Sequence, residues 1–162
     1  MENAPITLGL VALLAILMIV AAVSDLRSRS ISNGLNAAIA LLVIPYWIAT
    51  GMAAWPDIAL QFGAAFAVFL VFAGLFAIGA MGGGDVKMIG AVMLWIPLNL
   101  FLETLTVMAI GGGILSAVML IQSKIRPSDK AVEVPYGVAI AVAGLWALHQ
   151  QYLNQFQFIA SS

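Results

Sequence analysis

Two aspartates are the residues of this chain best placed to carry out chemistry. Asp25 closes the first long apolar segment, and Asp85 follows a run of three glycines and precedes Lys87 by two residues. If they meet, two carboxyl groups can hydrolyse a peptide bond: the ionised one takes a proton from water, and the protonated one donates to the carbonyl oxygen. Because the two charges repel, a close pair favours this singly protonated state, and its titration belongs to the pair.

Each aspartate taken alone also has a local explanation. Asp25 could end a helix in solvent, and Asp85 could be an acid favoured by the dipole at a helix N-terminus. The glycine run, which consists of Gly82, Gly83 and Gly84, could be a loop signal or could let another backbone approach closely. A hydrolytic site therefore requires that the fold bring the two aspartates together.

The composition indicates that lipid is the solvent for most of the chain. Of its 162 residues, 64% are hydrophobic and 8% are charged, and no water-soluble domain of this size can bury that much apolar surface. We expect an all-α polytopic membrane helical bundle, with residues 1–162 forming one domain. The net charge of −1 gives no reason to expect nucleic acid as a partner, and the absence of cysteine excludes disulfides, thiolate metal sites and cysteine nucleophiles.

Six apolar segments are expected to cross the membrane: residues 6–24, 34–51, 57–80, 86–97, 99–121 and 134–153. The first is long enough to be a retained helix rather than a cleaved signal peptide. Asn33 is expected to cap the second segment, and Pro135 to open the sixth. Residues 86–121 are too long for one span, so Pro97 is expected to break them and leave a short fourth helix. A re-entrant hairpin is the alternative for this region.

The basic residues orient these segments. Six spans place all of them on one side: Arg27, Arg29, Lys87, Lys124, Arg126 and Lys130. The positive-inside rule makes that side cytoplasmic and puts both termini outside. Asp25 and Asp85 then emerge at the same cytoplasmic face, although they are sixty residues apart. The four tryptophans fall toward the outer face, where an aromatic belt is expected: Trp47, Trp55, Trp95 and Trp146.

Three short stretches match the motifs of one enzyme family in order. In residues 25–33 an aspartate is followed by a basic loop and Ile31-Ser32-Asn33; residues 82–87 read GGGDVK; and residues 135–141 begin with Pro135-Tyr136-Gly137. With these stretches the chain resembles the type IV prepilin peptidases, which are membrane aspartic proteases of the GxGD class. Its small size is most similar to the Tad/Flp-pilus branch.

The resemblance implies a site and a reaction. Asp25 and Asp85 would be the catalytic pair, and the supporting residues would be Gly82, Gly83, Gly84, Lys87, Asn33, Pro135, Tyr136 and Gly137. The implied reaction is removal of the short basic leader of a prepilin or pseudopilin at the cytoplasmic boundary of the bacterial inner membrane. Pilus or secretion machinery would be the wider partner. No metal or organic cofactor is implied.

The chain departs from the family pattern at two places. Ser32 stands where proline is usual, which bears on the stiffness of the loop but not on the chemistry. Larger relatives also carry a cysteine-bearing cytoplasmic insert and methylate the new N-terminus. This chain has no cysteine and only a short first loop, so the resemblance implies peptidase activity without methyltransferase activity.

Two other functions remain open at this stage. A proton- or ion-coupled transporter could use the two acids as a relay, although it predicts charge near the bilayer midplane. A non-catalytic pilus assembly factor could hold a basic leader with the same acids. Lys87 is expected to lie across its helix from Asp85 and to extend toward the headgroups or meet a substrate acid. Gly111, Gly112 and Gly113 are expected to allow close helix packing.

Overall fold

The computed structural model describes residues 3–125 and 134–160, with side chains as far as residue 152. Arg126 and Lys130, which contribute to the topology prediction, lie outside the described residues. Every regular element in the described ranges is helical. The seven α-helices are α1 Ala4–Ser28, α2 Asn33–Leu41, α3 Val43–Thr50, α4 Ala59–Ala77, α5 Gly83–Met93, α6 Phe101–Ile125 and α7 Tyr136–Ala160. A π-helical turn, Ala54–Ile58, precedes α4, and a 3-10 turn, Leu98–Leu100, precedes α6.

These helices confirm the predicted all-α membrane helical protein. Four stretches of the described chain are long and apolar enough to cross a membrane: Ala4–Ser28, Asn33–Thr50, Ala54–Ala77 and Leu98–Ile125. The second of them is interrupted at Leu42, because Pro45 has no N–H to donate to the carbonyl of Leu41.

The break near Pro97 and the short fourth helix are also confirmed. Helix α5 ends at Met93, and the chain turns through Trp95 and Pro97 before α6 begins. With 11 residues, α5 is about 16 Å long, roughly half the thickness of a bilayer core. A helix this short has to be surrounded by protein for most of its length.

Helix α5 forms the centre of the core. Its apolar side chains are almost fully buried, with Met88, Ile89 and Val92 no more than 2% exposed. It packs against α2, α4 and α7, and α7 in turn packs against α1 and α6. The longer helices direct large apolar side chains outward, such as Phe62 and Ile114. Outward-facing apolar side chains are what lipid as a solvent favours.

Helix α1 turns a single buried face toward this core. The buried residues on α1 are Leu14, Met18, Ala21 and Asp25, which recur at the three- and four-residue spacing of one helix face. Asp25 is therefore directed into the bundle because it continues an apolar stripe.

Three helices meet in register beneath the aspartates. A Cβ atom on Gly144 of α7 would lie 2.8 Å from Met18 Sδ of α1 and 3.0 Å from Val92 Cγ1 of α5. Met18, Val92 and Gly144 each lie seven positions, or two helical turns, from a residue of the predicted site, which is Asp25, Asp85 and Gly137, respectively. The layer around Gly144 thus supports a second layer, about 10 Å away, that contains the site.

The prediction of an aromatic belt is wrong for two of the four tryptophans. Trp95 is 2% exposed, its Nε1 donates to the carbonyl of Ile39 at 2.9 Å, and its ring lies 4.9 Å from that of Tyr46. Trp47 is also buried, whereas Trp55 is exposed. Trp95 lies inside because the short α5 ends within the bundle, so that the turn after it meets the buried carbonyl of Ile39, which accepts the indole N–H.

Candidate active site

The structure brings Asp25 and Asp85 together at one end of the bundle. Asp25 lies in the last turn of α1 and Asp85 in the first turn of α5, and they are 4% and 8% exposed. Ile31 connects the two positions, because it lies against Gly84, the neighbour of Asp85, and against Gly137, which contacts Asp25. Buried carboxyl groups without a functional reason are rare, because removing a charge from water is costly.

The first turn of α7 holds Asp25 in place. The backbone N–H of Gly137 donates to Asp25 Oδ2 at 2.8 Å. This N–H group belongs to the first turn of a helix, where no intrahelical acceptor is available for it. This backbone amide thus links Asp25 to α7.

Gly137 has to be glycine for this contact to form. A Cβ atom there would lie 2.8 Å from Asp25 Oδ2, 3.1 Å from Asp25 Cβ and 2.7 Å from Ile31 Cδ1. These distances are shorter than van der Waals contact. The resemblance implied a supporting role for Gly137, and the structure adds a direct bond to one of the aspartates.

The glycine run is packed on each of its three residues. A Cβ on Gly82 would lie 2.9 Å from Asp85 Oδ2, because the carboxyl turns back toward the residue that precedes its helix. A Cβ on Gly83 would lie 3.2 Å from the ring of Phe76, and one on Gly84 would lie 3.3 Å from the carbonyl oxygen of Ile31. The run is therefore a close-packed turn that fixes the position of Asp85, rather than an open loop.

Asn36 is a residue of this region that the sequence analysis missed. Its Nδ2 donates to the carbonyl oxygen of Gly84 at 3.0 Å, and the side chain is 4% exposed. The bond ties α2 to the turn that carries Asp85. A usable signal was present, because Asn36 is an amide within an otherwise apolar segment, one turn beyond Asn33.

Ile31 is a second missed residue. Its backbone lies against Gly84, its Cδ1 lies against Gly137, and it is 6% exposed. It therefore fills the space between Gly84, which precedes Asp85, and Gly137, which contacts Asp25. Its position inside a basic loop gave no hint of burial.

The predicted cap at Asn33 is wrong. Ser32 has extended backbone angles and its hydroxyl accepts the N–H of Leu35 at 3.2 Å, so Ser32 caps α2. Asn33 is the first helical residue, and its Oδ1 accepts from Lys87 Nζ at 2.7 Å. The serine found in place of the family's proline therefore supplies the cap.

Lys87 is directed away from the aspartates, as predicted. It is exposed and lies at the rim of an apolar groove of about 430 Å³ between α2 and α4, with Gly90 and Ala91 of α5 on its floor. Residues two apart on a helix point about 200° apart, which places this groove on the other side of α5 from Asp85.

The remaining predicted residues pack the start of α7. Pro135 is buried just before the helix, and the ring of Tyr136 lies against Gly112 of α6, where a Cβ would be 3.0 Å from the ring. The Tyr136 hydroxyl lies 3.3 Å from that of Ser116. Close packing was predicted for the α6 glycines, and Gly112 provides it for Tyr136. Within the described ranges, no group of three or more His, Cys, Asp or Glu side chains is arranged to hold a metal ion.

Comparison with known proteins supports the assignment made from the motifs. No curated protein and no solved structure significantly matches the chain. A profile of the type IV leader peptidase family matches residues 12–121. This range is more than half of the chain and includes both aspartates and the glycine run, but it ends before α7. The chain therefore belongs to the type IV leader peptidase family.

Proposed function

We propose that this peptidase is an aspartic endopeptidase that removes the leader of a prepilin or pseudopilin. The observation that carries the proposal is the buried pair of Asp25 and Asp85, with Oδ2 of Asp25 held at 2.8 Å by the N–H of Gly137. Two carboxyl groups in a site from which water is largely excluded are suited to hold one proton between them.

The proposed reaction proceeds without a covalent intermediate. The ionised carboxyl group takes a proton from a water molecule, whose oxygen adds to the scissile carbonyl carbon. The protonated carboxyl group donates its proton to the carbonyl oxygen, which gives a tetrahedral diol. The diol collapses as its C–N bond breaks, the leaving nitrogen takes up the proton held by the first carboxyl, and the second recovers its own from a diol hydroxyl. Which aspartate begins as the base is a property of the pair.

The setting of the reaction follows from the topology prediction. The site would lie at the cytoplasmic face of the bacterial inner membrane, with both termini outside. A leader that ends where the apolar helix of the precursor begins would present its scissile bond at this depth. The Tad/Flp-pilus branch, with a substrate that joins pilus or secretion machinery, fits the small size of the chain. Because the chain has no cysteine, we also propose that it does not methylate the new N-terminus.

Co-expression with a candidate prepilin tests the proposal. Leader loss is followed by gel shift and by N-terminal sequencing of the product, and mass spectrometry then shows whether the new N-terminus carries a methyl group. Asp25→Asn and Asp85→Asn should each abolish cleavage while the protein stays inserted in the membrane. Glu103→Gln is the matched control, since Glu103 is an exposed acid in the first turn of α6.

The outcomes separate the competing functions. Cleavage at the normal rate by either aspartate variant would show that the carboxyl pair is not catalytic. An assembly factor would bind the precursor and leave its leader intact even in the unaltered protein. A transporter would show ion flux that depends on both aspartates, with no change in the precursor.

A further inference from the structure

A cavity of about 450 Å³ lies at the end of the bundle remote from the aspartates. We call it the distal cavity. The residues that line it include Tyr46, Trp47, Asp57, Gln61, Trp95 and Gln151. Asn3, next to the start of α1, donates to the carbonyl of Ala49 near the end of α3. Asp25 lies in the last turn of the same α1, which with 25 residues is about 37 Å long. The distal cavity is therefore separate from the candidate active site.

Gln61 gives the distal cavity a fixed hydrogen-bond acceptor. The side chain is 5% exposed, and its Nε2 donates to the carbonyl oxygens of Met93 at 2.9 Å and Ile96 at 2.6 Å. Two carbonyl partners fix the orientation of the amide, because the reversed amide would place its oxygen against two acceptors. No hydrogen bond among the described residues engages Oε1, which remains a free acceptor on a buried side chain.

A second amide and a carboxylate add to this acceptor. Gln151 donates through Nε2 to the Tyr46 hydroxyl at 2.9 Å, and its own Oε1 is buried without a partner in the described part of the chain. Asp57 lies one turn before Gln61 and receives only a 3.3 Å bond from the Ala53 N–H. Among the residues that the structure describes, no lysine, arginine or histidine lines the distal cavity. The described lining therefore carries the carboxylate of the exposed Asp57 and unused amide acceptors.

We propose that the distal cavity binds a primary ammonium group. Its N–H donors would satisfy the Oε1 atoms of Gln61 and Gln151, and its charge would pair with Asp57. Trp47 and Trp95 in the lining favour an organic cation over a hydrated metal ion, since aromatic walls supply none of the oxygen ligands that a metal ion prefers. The same chemistry is offered by the headgroup of phosphatidylethanolamine and by a soluble primary amine.

Lipid retention measured by native mass spectrometry tests this binding. The purified protein is mixed with equal amounts of phosphatidylethanolamine, phosphatidylcholine and phosphatidylglycerol in detergent, with and without ethylamine. We expect preferential retention of phosphatidylethanolamine, because phosphatidylcholine has no N–H donor and phosphatidylglycerol has no cation. Displacement by ethylamine assigns the contact to the ammonium group. Binding of ethylamine without retention of phosphatidylethanolamine identifies a soluble amine as the source.

Two variants locate the site. Asp57→Asn is expected to reduce retention of phosphatidylethanolamine by up to about fivefold, which is the contribution of an ion pair to an exposed carboxylate. Gln151→Leu, which removes the second acceptor, should also reduce it. Glu103→Gln is the matched control and should retain the lipid as the unaltered protein does. Thermal unfolding of each protein shows that it is folded.

Three results would overturn the proposal: equal retention of the three lipids with no binding of ethylamine, the same behaviour of Asp57→Asn and Glu103→Gln, or binding of calcium ion in place of any amine. Because none of these measurements uses leader cleavage, the outcome does not depend on the proposed peptidase reaction.

Discussion

A methyl group at Gly137 is expected to disable the site without unfolding the protein. In Gly137→Ala the new carbon would lie 2.8 Å from Asp25 Oδ2 and 3.1 Å from Asp25 Cβ. The Cδ1 atom of Ile31, at 2.7 Å, is the end of a flexible side chain and can rotate away. Asp25 Cβ is fixed to the backbone of α1, so α7 and α1 have to separate by roughly 0.5–1 Å to reach ordinary contact.

That separation acts mainly on the position of Asp25. The bond from the Gly137 N–H, now 2.8 Å, would lengthen beyond the usual range for hydrogen bonds. Overpacking of this kind destabilises a fold by about 1–3 kcal/mol. A displacement near 1 Å at a catalytic group lowers a rate by about a hundredfold. We therefore expect a large loss of cleavage with a modest loss of stability.

The assay is single-turnover leader cleavage by purified protein in liposomes, with the amount of folded protein measured by size-exclusion chromatography. Gly113→Ala is the control, because a Cβ at Gly113 of α6 meets nothing within 4 Å, and we expect it to cleave at the unaltered rate. A displacement of Asp25 should lower the cleavage rate about a hundredfold. If the rate of Gly137→Ala is instead within about twofold of the unaltered rate, the Gly137 amide does not position Asp25 for the reaction.

Three further substitutions test the surroundings of the pair. Asn36→Leu should slow cleavage by displacing Asp85 and should destabilise the fold by about 0.5–1.5 kcal/mol, the net value of the one hydrogen bond to the Gly84 carbonyl; unchanged melting and cleavage would show that the bond is not needed. Lys87→Met should retain most of the activity and lower stability by less than about 1 kcal/mol, since the bond to Asn33 is exposed; complete loss of cleavage would instead place Lys87 in the reaction. Ser32→Ala should lower the melting temperature through loss of about 1 kcal/mol from the α2 cap, with cleavage measured well below the melting temperature unchanged; an equal melting temperature would contradict the role of Ser32 as the cap.

Much of the fold could be predicted because it depends on local properties of the chain. Hydropathy locates the apolar segments, and a proline without an N–H cannot continue a helix, so the break at Pro97 follows from one residue. Asp25 and Asp85 are expected at the same end of the bundle because successive membrane spans run in opposite directions. The two layers of the core are also visible in the sequence, because Gly137 and Gly144 are seven positions apart. At that spacing two helical turns bring the chain back to the same helix face.

Other features depended on which neighbour each helix meets. Ser32 rather than Asn33 caps α2, since Asn33 faces Lys87 of α5. Trp95 lies inside the bundle because the short α5 ends there and its indole N–H meets the carbonyl of Ile39. The contacts of Asn33 and Trp95 cannot be read from the residues next to them, because each has its partner more than fifty residues away in the sequence.

The sequence by itself determined that this is a membrane helical protein of the leader peptidase family and that its two aspartates belong together. Residue type, segment length and motif order are sufficient for those conclusions. Only the tertiary structure decided what holds the pair, namely the Gly137 amide on Asp25 and the Asn36 amide on the turn before Asp85. The physical reason is that a hydrogen bond between helices requires a particular register and a close approach, and both are set by the packing of the whole bundle.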